Sequence, residues 1–202
     1  MDKWATIPAM TTIKKTIASL KENGMEAMVV NSEEEAKQKA LELIPEGSEV
    51  MTMTSKTLEA IGLVETFNDS TKYNAVRSKL MTDGNAPHEK KRLGAAPEYT
   101  IGSVHAVTED GHVFIASNTG SQLAAYVYGA DIVVWVVGTQ KIVKDDEEAK
   151  KRIYEYTLPL ESKRAHEAYG IPGSAVNKFL IINKEVQPGR ITLIFINENL
   201  GF

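Results

Sequence analysis

The sequence predicts one three-layer α/β domain: a mostly parallel sheet of about seven strands with helices on both faces. Three observations carry that prediction. Helix-like and strand-like segments alternate along the first sixty residues. Residues 132–137 are apolar at all six positions, the pattern of a strand covered on both faces. The 202 residues, 43% hydrophobic and 25% charged, match globular composition and suffice for a single domain over 1–202.

The elements follow in order. Ile13, Ile17 and Leu20 recur at helical spacing, and Gly24 stands where that helix would end. Residues 27–30 form a short strand. Ser32 and Glu35 make a capping box before Ala36, Ala40, Leu41 and Ile44. After Pro45-Glu46-Gly47, residues 49–53 are the next strand and 55–63 a helix ended by Gly62. Residues 68–97 are polar and carry two prolines, which suggests short helices and loops over the sheet's edge. Residues 99–108 and 112–117 flank Glu109-Asp110-Gly111 as a hairpin. Residues 123–128 are a helix. Asp145 starts another, with Glu147–Lys151 and Glu148–Arg152 at the stabilising i,i+4 spacing. A helix over 158–169 has Pro159 in its first turn. Residues 179–182 and 191–196 are the last strands. Trp135 belongs to the core.

Composition narrows the function. The net charge is −4, from 27 acids and 23 bases, the wrong sign for a nucleic-acid protein. There is no cysteine, which removes disulfides, thiol nucleophiles and clusters held by the chain's own thiolates. Cytoplasm is the expected compartment. No apolar run approaches the roughly 20 residues that span a membrane, and the first twenty residues do not read as a signal peptide. A homo-oligomer is compatible with the sequence.

Open α/β sheets bind ligands beyond the carboxyl ends of their strands. Four small polar loops follow strands here: Thr54-Ser55-Lys56-Thr57, Asn118-Thr119-Gly120-Ser121, Gly138-Thr139-Gln140-Lys141 and Asn197-Glu198-Asn199. Each is either an ordinary cap or turn, or part of a cradle for a phosphate or carboxylate. Backbone N–H groups at a helix start and Ser/Thr hydroxyls suit an anion, and Gly120 permits close backbone approach. The ligand-binding candidates are Ser55, Thr57, Asn118, Thr119, Gly120, Ser121, Lys141 and Arg164. The candidate catalytic acids are Glu109 and Glu198, able to act as base or nucleophile. Neither a Walker loop nor a G-x-G-x-x-G is present, and no cofactor is assigned. His105, Glu109 and His112 straddle the hairpin, but their spacing is no metal signature, and no metal site is assigned.

A set of segments resembles the LUD-domain family of lactate-utilisation proteins. They are Ser55-Lys56-Thr57-Leu58-Glu59-Ala60-Ile61-Gly62-Leu63, Ala106-Val107-Thr108-Glu109-Asp110-Gly111, Gly120-Ser121-Gln122-Leu123-Ala124-Ala125, Val136-Val137-Gly138-Thr139-Gln140-Lys141-Ile142-Val143, Pro159-Leu160-Glu161-Ser162-Lys163-Arg164 and Asn197-Glu198-Asn199-Leu200-Gly201-Phe202. The resemblance implies a Rossmann-like fold similar to ribose-5-phosphate isomerase and the CoA transferases. It implies a small anionic metabolite as ligand, an accessory role in the oxidation of lactate or a related 2-hydroxy acid, and partner subunits that carry iron–sulfur clusters. The alternative is a stand-alone isomerase, acyl transferase or ligase acting on a phosphorylated or CoA-linked substrate. Two departures stand out. Met53-Thr54 replaces the Gly-Gly that precedes the Ser-x-Thr loop in many members, and Gly170-Ile171-Pro172-Gly173-Ser174 lacks the cysteines that some members carry there.

Overall fold

The structure, a computed structural model, describes residues 3–69, 71–81 and 86–202. Among these the helices are α1 (Met10–Glu22), α2 (Glu33–Leu43), α3 (Lys56–Ala60), α4 (Leu63–Asp69), α5 (Val76–Met81), α6 (Pro87–Ala95), α7 (Asp146–Arg152) and α8 (Leu158–Tyr169). The strands are β1 (Glu26–Val30), β2 (Glu49–Thr52), β3 (Asn74–Ala75), β4 (Tyr99–Gly102), β5 (Ala106–Thr108), β6 (Val113–Ser117), β7 (Ile132–Gly138), β8 (Ile142–Val143), β9 (Lys178–Ile182) and β10 (Ile191–Ile196).

Six strands form a wholly parallel sheet in the order β1-β10-β7-β4-β2-β3. The apolar run of β7 divides between its two faces, as a doubly covered strand must. Val134 and Val136 pack with Ala36 and Ala40 of α2, Leu58 of α3 and Phe67 of α4. Val133, Trp135 and Val137 pack on the other side with Ile13 and Leu20 of α1 and with Val107, Val113 and Ile115 of a second sheet. That sheet, ordered β8-β5-β6-β9, covers part of the second face. Its far side packs Phe114 and Val143 against Trp4, Ala149 and Ile153. The layered α/β architecture is as expected, but one sheet of about seven strands becomes two sheets. β3, β5 and β8 are two or three residues long, too short to show a period in sequence.

Other differences are local. Residues 99–108 are two strands in different sheets, because the chain leaves the parallel sheet at Gly102 and joins the second at Ala106. Gly62, at φ +69°, does stand at the end of a helix, but that helix is the five-residue α3, and α4 starts directly after the glycine. Residues 125–129 form a single π-helical turn instead of an α-helix. Glu147 does pair with Lys151 at 2.7 Å. Arg152, however, is fully buried and donates to the His105 carbonyl and to Thr157 Oγ1, while Glu148 pairs with Lys3. The hairpin forms: β5 and β6 are antiparallel around Glu109-Asp110-Gly111, with Gly111 at φ +80°. Among the described residues no helix is long and apolar enough to cross a membrane.

Candidate functional site

The strand order locates a crevice. From β2 the chain crosses to β3 on one side, through α3 and α4; from β4 it moves the other way to β7, through the second sheet. Loops leaving the carboxyl ends of β2 and β4 therefore diverge to opposite faces, which opens a cleft between them. A cavity of about 350 Å³ lies there, a volume that suits a small metabolite. Its wall takes Ser55 and Thr57 from the loop after β2, Ser103 and His105 from the loop after β4, and Lys141 from the turn after β7. Asn118, Thr119 and Ser121 follow β6, and Glu161 and Arg164 come from α8.

Lys141 is the most constrained group. The 3-10 turn Thr139–Lys141 carries the chain from β7 into β8, from the parallel sheet to the second one. The side chain is thereby held between the sheets, 1% exposed. Its Nζ donates to Thr57 Oγ1 at 3.2 Å and to Ser103 Oγ at 3.1 Å. No carboxylate among the described residues forms an ion pair with it. Burial, with the nearby Arg152 cation, lowers its pKa well below the ordinary lysine value. Thr57 is itself packed against the C-terminal segment: Gly201 sits at φ +66°, and a Cβ there would lie 2.4 Å from Thr57 Oγ1.

The other cations on the wall are neutralised. Arg164 meets Glu161 through two hydrogen bonds of 2.7 Å each, a bidentate pair. Lys56 pairs with Glu59. Among the described residues, the side-chain carboxylates on the wall, Glu59 and Glu161, are thus each engaged by a base three residues away.

The remaining candidates separate. Ser55 caps α3, its Oγ accepting the Leu58 N–H at 3.3 Å. The loop after β6 satisfies its own donors. Ser117 Oγ accepts the Gly120 N–H, and Thr119 Oγ1 accepts the Ser121 N–H. Asn118 accepts from Asn177, and the Thr119 carbonyl accepts from Lys178. Gly120 lies behind the wall in a left-handed turn at φ +84°. The loop's hydroxyl and amide groups border the cleft, but the backbone N–H groups of Gly120 and Ser121 are spent on the turn. Glu109 stands outside the cleft and pairs with Lys15 at 2.9 Å. Glu198 follows β10 at the same end of the sheet, also outside the cavity wall. His112 pairs with Asp146 at 2.8 Å, away from His105. Among the described residues no group of three His, Cys, Asp or Glu residues is placed to hold a metal.

Ser103 is not singled out by the sequence, and His105 is read there only as a hairpin histidine, because residues 99–108 read as one strand. The signal that was available is Gly102-Ser103, a glycine and a polar residue inside an apolar run, which marks a break in a strand. His105 Nδ1 accepts the Ala116 N–H at 3.1 Å. Enclosure by protein, then the Lys141 and Arg152 charges, lower its pKa to about 3, so the imidazole is neutral.

The comparisons agree with this architecture. The model of the LUD domain family matches residues 13–196. A solved structure with a similar fold is the crystal structure of a DUF162 family protein from Deinococcus radiodurans at 1.70 Å resolution. It is 13% identical, with a TM-score of 0.55, and the match covers 94% of this chain and 99% of that one. No curated protein matches. With the family model spanning most of its length, this chain belongs to the LUD domain family.

Proposed function

We propose that this chain binds a small metabolite bearing a carboxylate or phosphate in the switch-point cleft, with Lys141 as the anion's main partner. In this reading it serves in the cytoplasm as an accessory component of lactate or related 2-hydroxy-acid utilisation. One observation carries the proposal: Lys141 is a buried amine on the wall of an open cavity, and among the described residues its hydrogen-bond partners are both hydroxyls. Removing an ammonium group from water is unfavourable, and an incoming anion offsets that cost. Membership of the LUD domain family supports the metabolic setting. The accessory role is supported by the carboxylates: Glu109 and Glu198 lie off the cavity wall, and the described acidic side chains on it, Glu59 and Glu161, are paired with bases. A chain without cysteine would rely on partner subunits for iron–sulfur redox chemistry.

Calorimetric titration with inorganic phosphate and with lactate tests this, using wild type and Lys141→Met. Saturable binding of at least one probe is expected, weakened about tenfold or more in the variant, since hydrogen bonds to charged groups contribute roughly 1.5–3 kcal/mol. Equal binding by both proteins, or none by wild type, contradicts the proposal. Turnover of a sugar phosphate or CoA thioester by the isolated chain would favour the enzyme reading instead.

A further inference from the structure

His105 is fixed by hydrogen bonds at its backbone N–H, its carbonyl and its ring. Its backbone N–H donates to the Phe114 carbonyl, and its own carbonyl accepts from the buried Arg152. Its ring Nδ1 accepts the Ala116 N–H. A nitrogen that accepts a hydrogen bond carries no proton, so the neutral ring bears its proton on Nε2. No described residue accepts that Nε2–H. The ring lines the same cavity as Lys141 and retains accessible surface there. Two cations, Lys141 and Arg152, lie near enough to oppose its protonation, and no carboxylate pairs with it. The tautomer is therefore set by a backbone group and the charge by the surroundings. What faces the cavity is a neutral donor with no acceptor among the described residues.

We propose that His105 is a second ligand-reading group of the cleft, whose Nε2–H donates to an acceptor oxygen on the carbon next to the anionic group held by Lys141. The ligand class is then an anion with such an oxygen, an oxo or hydroxy acid or a phosphate ester, in preference to an unsubstituted carboxylate. A fixed neutral donor discriminates because a ligand lacking the acceptor leaves the Nε2–H desolvated and unpaired. This inference rests on anion binding at Lys141 and adds specificity to it.

The test uses two probes of matched size, pyruvate and propionate, titrated into wild type, His105→Asn and His105→Gln. A second readout follows the His105 ring Nε2–H by nitrogen–proton NMR in the wild type. His105→Asn keeps a carboxamide oxygen able to accept the Ala116 N–H but places no donor at the Nε2 position. His105→Gln places an amide donor near that position. Wild type is expected to prefer pyruvate by about tenfold, the ratio that one hydrogen bond of ordinary strength supplies. His105→Asn is expected to lose that preference, and His105→Gln to recover part of it. In the wild type the Nε2–H resonance should shift with pyruvate. Preference retained in His105→Asn, no preference in wild type, or an Nε2–H resonance indifferent to pyruvate overturns the role of His105 while leaving Lys141 as the anion's partner. Failure of wild type to bind either probe overturns the anion-binding reading and this inference with it. Because the resonance is read in the wild type, the proposal stays testable even where a variant fails to fold.

Discussion

At the residue scale the cleft is defined by two groups whose ionisation folding suppresses. Lys141 has its pKa lowered by burial and by Arg152. Between that lowered value and 10.5, the unfolded chain binds more protons than the folded one, so stability rises with pH across that window. Below it the full penalty is present. Lys141→Met removes the penalty, so the unliganded variant is expected to be at least as stable as wild type near neutral pH. Its advantage should shrink as pH climbs toward 10.5. His105, lowered to about 3 from 6.5, acts in the acid range: wild type should lose stability as pH falls between those values, and His105→Asn should lose less. Urea unfolding across pH checks both slopes. A methionine variant that is less stable than wild type at every pH would mean that the Thr57 and Ser103 hydrogen bonds outweigh desolvation.

Lys141, Thr57 and Arg164 were legible as candidates because they follow strands or sit in family-like segments. Their pairing was not legible. Glu161 cancels Arg164, and nothing in the spacing of α8 distinguishes a bidentate pair from two solvated charges. Glu109 looked accessible to a ligand because it lies in a turn. The partner it meets, Lys15, comes from 94 residues away and is a tertiary fact.

At the element scale, short loops decide which backbone groups remain available. The loop after β6, small, polar and with a glycine, reads in sequence either as an ordinary cap or turn or as part of a cradle for an anion. In the structure its donors close the turn upon Ser117 and Thr119. The same Ser/Thr richness that suits ligand binding suits self-capping, and local sequence does not separate the two. Gly120 serves the turn, since φ +84° disfavours a residue with a Cβ and a Cβ would lie 2.5 Å from Lys178 Cδ. Gly120→Ala is therefore expected to lower stability by about 1 kcal/mol, while pyruvate affinity changes by less than about twofold. Denaturant melts paired with titration check this. Intact stability with lost affinity would return the loop to the role of cradle. The β4–β5 segment shows the opposite problem. Its break at Gly102 is small enough to hide inside a run of β-formers, and with it went Ser103 and the place of His105 on the cleft.

At the scale of the whole molecule, the alternation of helices and strands and the doubly buried β7 were legible, because periodicity and apolar runs are local signals. Strand order was not. The order β1-β10-β7-β4-β2-β3 depends on which crossovers pack on which face, and the cleft exists only because that order reverses between β2 and β4. The second sheet escaped the sequence for the same reason: β8 contributes two residues and β5 three, and each is a strand only through its neighbours.

In the proposed reading a buried, hydroxyl-bound amine in this cleft is the partner of a small anion. The protons that binding moves report on that pairing. Pyruvate is fully ionised near neutrality, so a proton taken up on binding must come to the protein. An anion beside Nζ favours the ammonium form and raises the depressed pKa of Lys141. Calorimetric titration of wild type with pyruvate, at one alkaline pH in two buffers of different ionisation heat, should therefore show net proton uptake of up to one per chain. Affinity should fall as pH rises further, and the uptake should vanish in Lys141→Met. Binding without proton uptake at any pH, equally strong in the methionine variant, would contradict the account.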